Sequence, residues 1–127
     1  MAWAKAAGVY DGDNVLLAIG HDDPNITPPE KLRYDACLSV KRPFSPQGEI
    51  GYQTIPAATY GTATYIGPYG PTMFEAIAAI FTQLAQFKRY QIVGLPLIEI
   101  YRTTQINPSY ELNQTDIYIP LSAVTEL

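Results

Sequence analysis

The segment 95–101 constrains the fold most, because it is an apolar strand with a single acid inside it. Its β-branched Ile98 and Ile100 favour an extended chain, and apolar neighbours on both sides indicate a strand with little exposed face. Glu99 interrupts this pattern. A carboxylate in a dry interior is destabilised unless it meets a hydrogen-bond donor, becomes protonated or binds a cation. Glu99 is therefore the main candidate for a functional residue.

A second segment, residues 72–88, provides cover for such a strand. After Pro71, a residue that suits the first position of a helix, apolar residues recur at the spacing of one buried helical face. This stripe consists of Met73, Ile77, Ile80, Phe81 and Leu84. Strand-like segments occupy residues 15–20, 33–40, 50–66 and 115–121. A helix packed on a sheet of such strands predicts an α+β fold.

The chain resembles itself when its first part is laid over its last part at an offset of about 81 residues. We call this offset the repeat shift. The pairs that this shift matches are Leu16 with Leu97, Leu17 with Ile98, Ile19 with Ile100, Asp35 with Asp116 and Val40 with Leu121. The order of the elements also agrees, which predicts a partial first repeat in residues 1–41 and a complete second repeat in residues 49–121. The missing parts of the first repeat would lie roughly thirty residues before Met1. Glu99 has Ala18 as its counterpart, so the acid belongs to the second repeat alone.

An incomplete first repeat has a consequence for assembly. It would leave a sheet edge and an apolar face uncovered, and a second copy of the chain is the simplest cover. We therefore expect a homo-oligomer, most simply a dimer.

Composition and motifs argue against several classes of function. The chain has eight Lys and Arg residues and a net charge of −4, so we expect no direct contact with nucleic acid. It has no membrane-length apolar run, no signal peptide and one cysteine, Cys37, which predicts a single cytoplasmic domain spanning residues 1–127. His21, Asp22 and Asp23 lack the further ligands of a metal site, so we predict a capped turn there and neither metal nor cofactor.

Tyrosine dominates the aromatic residues, with ten Tyr against four Phe and one Trp. Rings with one polar end suit a cleft better than a sealed core. Alternation along the strand places Tyr101 on the same face as Glu99. The other candidates for lining a cleft are Tyr34, Tyr65, Tyr69, Tyr118 and Trp3. Each of these, taken alone, also fits ordinary packing.

Four groups of residues, which together cover nearly the whole chain in order, resemble the GyrI-like proteins. They are 22–36 (DDPNITPPEKLRYDA), 55–60 with 67–69 (IPAATY and GPY), 96–101 (PLIEIY) and 115–121 (TDIYIPL). This family is related to the effector-binding domains of AraC-type and MerR-type multidrug regulators. The resemblance implies an antiparallel sheet from two βαββ (SHS2-like) repeats, helices on one face, and a pocket with Glu99 as its acid. Ile98 and Ala58 depart from the family pattern, which has Phe and Gly there.

Three functions remain open at this point. The resemblance implies a stand-alone domain that binds amphipathic, cationic, drug-like molecules in a Tyr-lined cleft above Glu99. It also allows a hydrolase of strained, cyclopropane-containing toxins that uses Glu99 as general base, or a protein inhibitor of DNA gyrase. The ordinary alternative is that Glu99 merely pairs with an arginine such as Arg102 or Arg33.

Overall fold

The computed structural model describes residues 6, 8, 10–42, 45, 48–55, 57–92, 96–103, 107 and 109–123, with only the backbone of Ala123. Its elements in chain order are β1 (Leu16–Gly20), β2 (Tyr34–Leu38), β3 (Thr59–Ile66), α1 (Pro71–Leu84), β4 (Tyr90–Ile92), β5 (Leu97–Tyr101) and β6 (Gln114–Ala123). A short 3-10 helix, Pro29–Lys31, lies between β1 and β2. Within these ranges, no helix has the length and apolar character needed to cross a membrane.

The six strands form one antiparallel sheet in the order β2-β1-β5-β6-β3. β4 pairs with the C-terminal end of β6, along the same edge of β6 as β5. The antiparallel sheet with its helix confirms the predicted α+β fold. β2 and β3 are the outer strands of this path, so the connection between them runs from one edge of the sheet to the other.

β1 and β5 are neighbours at the centre of the sheet, and their register places Ala18 opposite Glu99. β1 and β2 pair Ala18 with Ala36, and β5 and β6 pair Glu99 with Ile117. The repeat shift converts the first of these pairs into the second, and it also relates the other three pairs of β5 and β6 to pairs of β1 and β2. Two copies of one unit, related by a pseudo-two-fold axis between β1 and β5, would have this register. Glu99 lies where the two halves meet.

Helix α1 covers one face of the sheet. Pro71 is its first residue, as expected from the fixed φ of proline, and Gly70 precedes it as N-cap. The buried cluster between helix and sheet consists of Met73, Ile77, Phe81, Leu97, Ile117 and Ile119. Ile80 and Leu84 pack against it, which confirms the predicted helical stripe. Burial of each large apolar side chain contributes about 1.5–3 kcal/mol.

The opposite face carries a smaller cluster. Leu17, Ile19 and Ile98 are its buried members, with Cys37, Tyr60, Ile100 and Tyr118 packed around them. The Gln53 amide from the connection between β2 and β3 lies 3.8 Å from the Cys37 sulfur. Burial raises the pKa of the Cys37 thiol, which keeps it protonated and consistent with a packing role.

The helix ends at Leu84 rather than near residue 88, so that prediction was wrong by about one turn. The N–H groups of Gln86 and Phe87 donate to the carbonyls three residues before them, and such short turns close a helix. The chain must turn here because β4 begins at Tyr90. Lys88 therefore lies outside the helix.

Two strand predictions also differ from the structure. The segment 50–66 contributes a strand only over Thr59–Ile66, because residues 51–55 belong to the connection that leaves β2. Pro56, the expected kink, lies outside the described residues. β4 was not predicted, since its three residues are too few to show alternation.

Candidate functional site

Glu99 lies in the middle of β5, on the face that α1 covers. Leu97, Glu99 and Tyr101 share this face by alternation, and Leu97 is fully buried in the helix-side cluster. The residue opposite Glu99 on β1 is Ala18, whose partner on β2 is Ala36. The side chains across from the carboxylate on this side are therefore small. Glu99 itself is only 1% exposed.

The two oxygens of this carboxylate differ in their contacts. The Tyr101 hydroxyl donates to Oε1 over a long distance of 3.3 Å. Oε2 has no hydrogen-bond partner among the described residues. The buried Tyr34 hydroxyl lies close enough to interact electrostatically with Glu99, yet it too forms no hydrogen bond within the described part of the chain. An unsatisfied acceptor and an unsatisfied donor thus lie side by side, which is uncommon in a buried site.

In the part of the chain that the structure describes, no basic side chain pairs with Glu99. Arg102 Nε lies 2.8 Å from Asp116 Oδ2, and Arg33 Nε lies 3.1 Å from Asp22 Oδ2. Both arginines are therefore engaged elsewhere. The ordinary alternative, a structural ion pair of Glu99 with one of these two residues, is wrong.

Burial raises the pKa of Glu99 from its ordinary 4.5 to about 7, and the hydroxyls of Tyr34 and Tyr101 oppose this rise only in part. The same environment raises the pKa of both tyrosines, through burial first and then through the negative charge of Glu99. Both hydroxyls therefore stay protonated and able to donate. Near neutral pH the site holds a carboxyl group balanced between its charged and neutral forms, as in many functional sites.

Each of the two tyrosines that interact with Glu99 packs against a second aromatic ring. Tyr69, in the turn before α1, tilts against Tyr101 with ring centroids 5.2 Å apart. Tyr34 stacks on Phe74 of α1 at 6.1 Å with an interplanar angle of 23°. The structure thus places Tyr34 and Tyr101 beside Glu99 and places Tyr69 against Tyr101. Each of the three rings is partly exposed. Phe74 was missed from the sequence because it lies beside the buried stripe of the helix.

The remaining aromatic candidates lie elsewhere. The Tyr65 hydroxyl donates to the Pro68 carbonyl at 3.0 Å, and its ring packs against the helix-side cluster, so Tyr65 shapes the turn before α1. Tyr118 lies on the opposite face of the sheet, edge-on to Tyr60 at 6.0 Å, and does not reach Glu99. Trp3 lies outside the described residues.

The acids of the turn after β1 organise the backbone. Asp22 accepts hydrogen bonds from the Arg33 backbone and side chain, and Asp23 Oδ1 accepts the Asn25 N–H at 2.8 Å. His21 Nε2 lies 2.8 Å from Asp35 Oδ2. The contact of Asp23 confirms its predicted capping role, whereas Asp22 binds Arg33 and so ties the turn to the start of β2. Among the described residues, no three His, Cys, Asp or Glu side chains form a cluster suited to a metal ion.

A separate groove of about 950 Å³ lies between β2 and residues 49–55. Leu17, Cys37 and Gln53 are among its lining residues, and Glu99 is not. The groove is therefore distinct from the cluster around the buried carboxylate.

Comparison with known proteins places the chain in one family. The sequence profile described as GyrI-like small molecule binding domain matches residues 1–122. Two proteins named DNA gyrase inhibitor, from Cronobacter sakazakii and Cronobacter turicensis, are each 31% identical over 116 residues, covering 87% of this chain and 70% of the relative. A "SPbeta prophage-derived putative transcriptional regulator YosT" from Bacillus subtilis is 28% identical over 105 residues, covering 83% of this chain and 68% of the relative. The resemblance found in the sequence is confirmed, and the chain belongs to the GyrI-like small-molecule-binding domain family.

Proposed function

We propose that this chain binds amphipathic organic cations at Glu99. The observation that supports the proposal most is a carboxylate that is 1% exposed, has a free oxygen and has no cationic partner among the described residues. A buried charge without a partner is strongly destabilised, so an incoming cation is attracted by more than a surface charge would attract it. When no cation is bound, a proton fills the same role, in keeping with a pKa of about 7.

The aromatic rings suggest the shape of the ligand. Tyr34, Tyr69 and Tyr101 offer faces to a diffuse cation, and each cation–π contact contributes about 0.5–2 kcal/mol. A delocalised cation also loses less hydration than a compact ammonium ion. Because Glu99 is enclosed, the ligand must displace a ring to reach it. Tyr69 and Tyr101 are only partly buried, so theirs are the rings that a ligand would displace.

Calorimetric titration tests this function. Methyltriphenylphosphonium and the neutral triphenylphosphine oxide form a matched pair of ligands, and Glu99→Gln is compared with Glu111→Gln, a change at an exposed glutamate. We expect the cation to bind the native protein and Glu111→Gln equally, and Glu99→Gln to bind about 10- to 150-fold more weakly, as for loss of a charge-assisted contact. Equal binding of the cation by all three proteins would show that Glu99 does not bind it.

A second candidate function is hydrolysis, which the pKa of Glu99 near neutrality favours. Glu99 would accept a proton from water while the water oxygen bonds to a carbon of a strained cyclopropane. The electrons of the broken C–C bond would pass into a conjugated carbonyl of the ligand, which then takes up a proton. Incubation with an activated cyclopropyl ketone distinguishes the two functions: a hydrolase yields a product heavier by one water, and Glu99→Gln abolishes it.

Inhibition of DNA gyrase is the third candidate, because two relatives bear that name. A supercoiling assay separates it from ligand binding. Inhibition through a protein surface survives Glu99→Gln, whereas an effect that depends on a ligand at the buried carboxylate does not.

A further inference from the structure

Gly20 ends β1 beside the Glu99 site. It pairs with Tyr34 of β2 on one side and with Leu97 of β5 on the other. A Cβ atom at this position would lie 2.8 Å from Tyr34 Cε1 and 3.0 Å from Leu97 Cγ, well inside the usual contact distance of carbon atoms. The Tyr34 ring thus lies in the space that a side chain on Gly20 would fill. The φ of Gly20 is not positive, so the glycine is needed for space rather than for an unusual backbone conformation.

The seated ring occupies a defined place in the site. Its other contact is the stacking with Phe74, so the ring bridges a strand of the first repeat and the helix of the second. Its buried hydroxyl and Glu99 Oε2 both lack hydrogen bonds among the described residues, and the two groups interact electrostatically. A small rotation of either side chain would therefore form a hydrogen bond from the Tyr34 hydroxyl to Glu99 Oε2.

We propose that Gly20 is a positioning residue of this site. The space above Gly20 holds the Tyr34 ring against the side of the Glu99 carboxylate that faces β1 and β2. The residue acts through Tyr34 and need not touch a ligand. The seated ring limits the room beside Ala18, so Gly20 also sets which cations fit. This last consequence rests on the proposed cation-binding function.

The repeat gives independent support. The repeat shift aligns Gly20 with Tyr101 and Tyr34 with Thr115. In each half the two residues are cross-strand partners: Gly20 faces Tyr34, and Tyr101 faces Thr115. Each half therefore combines one tyrosine with a smaller residue, and the tyrosine comes from β2 in one half and from β5 in the other. Gly20 is what allows the first half to place its ring on β2.

Titration of Glu99 in the ligand-free protein tests the positioning role. The variants are Gly20→Ala, Tyr34→Phe and both together, and the carboxyl carbons are followed by NMR after labelling with ¹³C-glutamate, with Glu99→Gln to assign the signal. Since the Tyr34 hydroxyl lowers the pKa of Glu99, we expect Gly20→Ala and Tyr34→Phe each to raise it by about 1. The double variant should match Tyr34→Phe alone.

Gly61→Ala is the matched control. A Cβ there would lie 2.8 Å from Leu84 Cδ2, a similar clash on the same face but on β3. We expect it to leave the pKa of Glu99 unchanged. The proposal is overturned if Gly20→Ala leaves the titration as in the native protein, if Gly61→Ala shifts it equally, or if the shift caused by Gly20→Ala persists in full in the Tyr34→Phe background.

Two further measurements keep the outcome clear. If Gly20→Ala unfolds, adding Tyr34→Ala should restore folding because the closer of the two collisions, with the Tyr34 ring, is gone. Failure to restore folding counts against the proposal. With cations, Gly20→Ala should change the ratio of the Kd values for methyltriphenylphosphonium and tetraphenylphosphonium by roughly threefold or more, whereas Gly61→Ala should not. If the native protein binds neither cation, the proposed function fails, and the NMR titration still decides the role of Gly20.

Discussion

Replacement of Glu99 by glutamine should make the stability of the protein less dependent on pH. The pKa of this carboxyl is about 7 in the folded protein and near its ordinary 4.5 in the unfolded chain. Between these values the folded state holds a proton that the unfolded state releases, so the free energy of unfolding falls as pH rises from about 4.5 to about 7. An amide does not titrate, so the variant lacks this part of the pH dependence.

The size of the effect follows from the two pKa values. Each unit of difference corresponds to 1.36 kcal/mol, so the interval between 4.5 and about 7 corresponds to roughly 3 kcal/mol. This is a substantial part of the roughly 5–15 kcal/mol by which a typical domain is stable. The 1% exposure of Glu99 means that solvent screening reduces the effect little.

Urea unfolding followed by circular dichroism between pH 4.5 and pH 8 measures this pH dependence of the free energy of unfolding. Native protein, Glu99→Gln and the exposed-site control Glu111→Gln are compared at each pH, so that pH effects common to the three proteins cancel in the differences. We expect Glu99→Gln to gain about 3 kcal/mol relative to the native protein across this range, while Glu111→Gln follows the native curve. A constant difference between Glu99→Gln and native protein would refute the raised pKa.

Three further predictions concern the neighbours of this site, the core and the assembly. Tyr101→Phe removes the donor to Glu99 Oε1, so NMR titration should show the pKa of Glu99 raised by about 0.5–1; no rise would mean that this long hydrogen bond is ineffective. Ile77→Ala empties a fully buried position and should lower the free energy of unfolding by about 2–5 kcal/mol, with less than about 1 kcal/mol contradicting the packing described here. β2 pairs only with β1 among the described strands, so sedimentation at micromolar concentration should detect a dimer, and a strictly monomeric mass would count against it.

The fold was predictable where periodicity was long. The helical stripe from Met73 to Leu84 anticipated what α1 buries, because burial of one helical face leaves a regular pattern in sequence. The apolar segment around Glu99 likewise anticipated β5, whose first three residues are all buried. The end of α1 was not predictable, since no Gly or Pro lies between Leu84 and β4, and the turn is imposed by the pairing of β4 with β6. Tertiary pairing decided these boundaries.

The site was predictable in part. The sequence indicated Glu99 and Tyr101 by alternation, but Tyr118 was grouped with them although it lies on the other face. The repeat could have excluded Tyr118 from this site. The repeat shift aligns Tyr118 with Cys37, and Cys37 and Tyr34 point to opposite faces of their strand by alternation. Gly20 was missed because a glycine's role here depends on which ring its neighbouring strand brings across it.

Proton release on cation binding tests most directly whether Glu99 exchanges a proton for a ligand. Calorimetry with methyltriphenylphosphonium at pH 6.5, in buffers of different ionisation enthalpy, counts the protons released. With a pKa of about 7 the carboxyl is mostly protonated at this pH, so the native protein should release roughly three quarters of a proton per cation bound. Glu99→Gln should release none. Binding without proton release, or equal release from both proteins, would contradict a cation-binding carboxylate at the centre of the sheet.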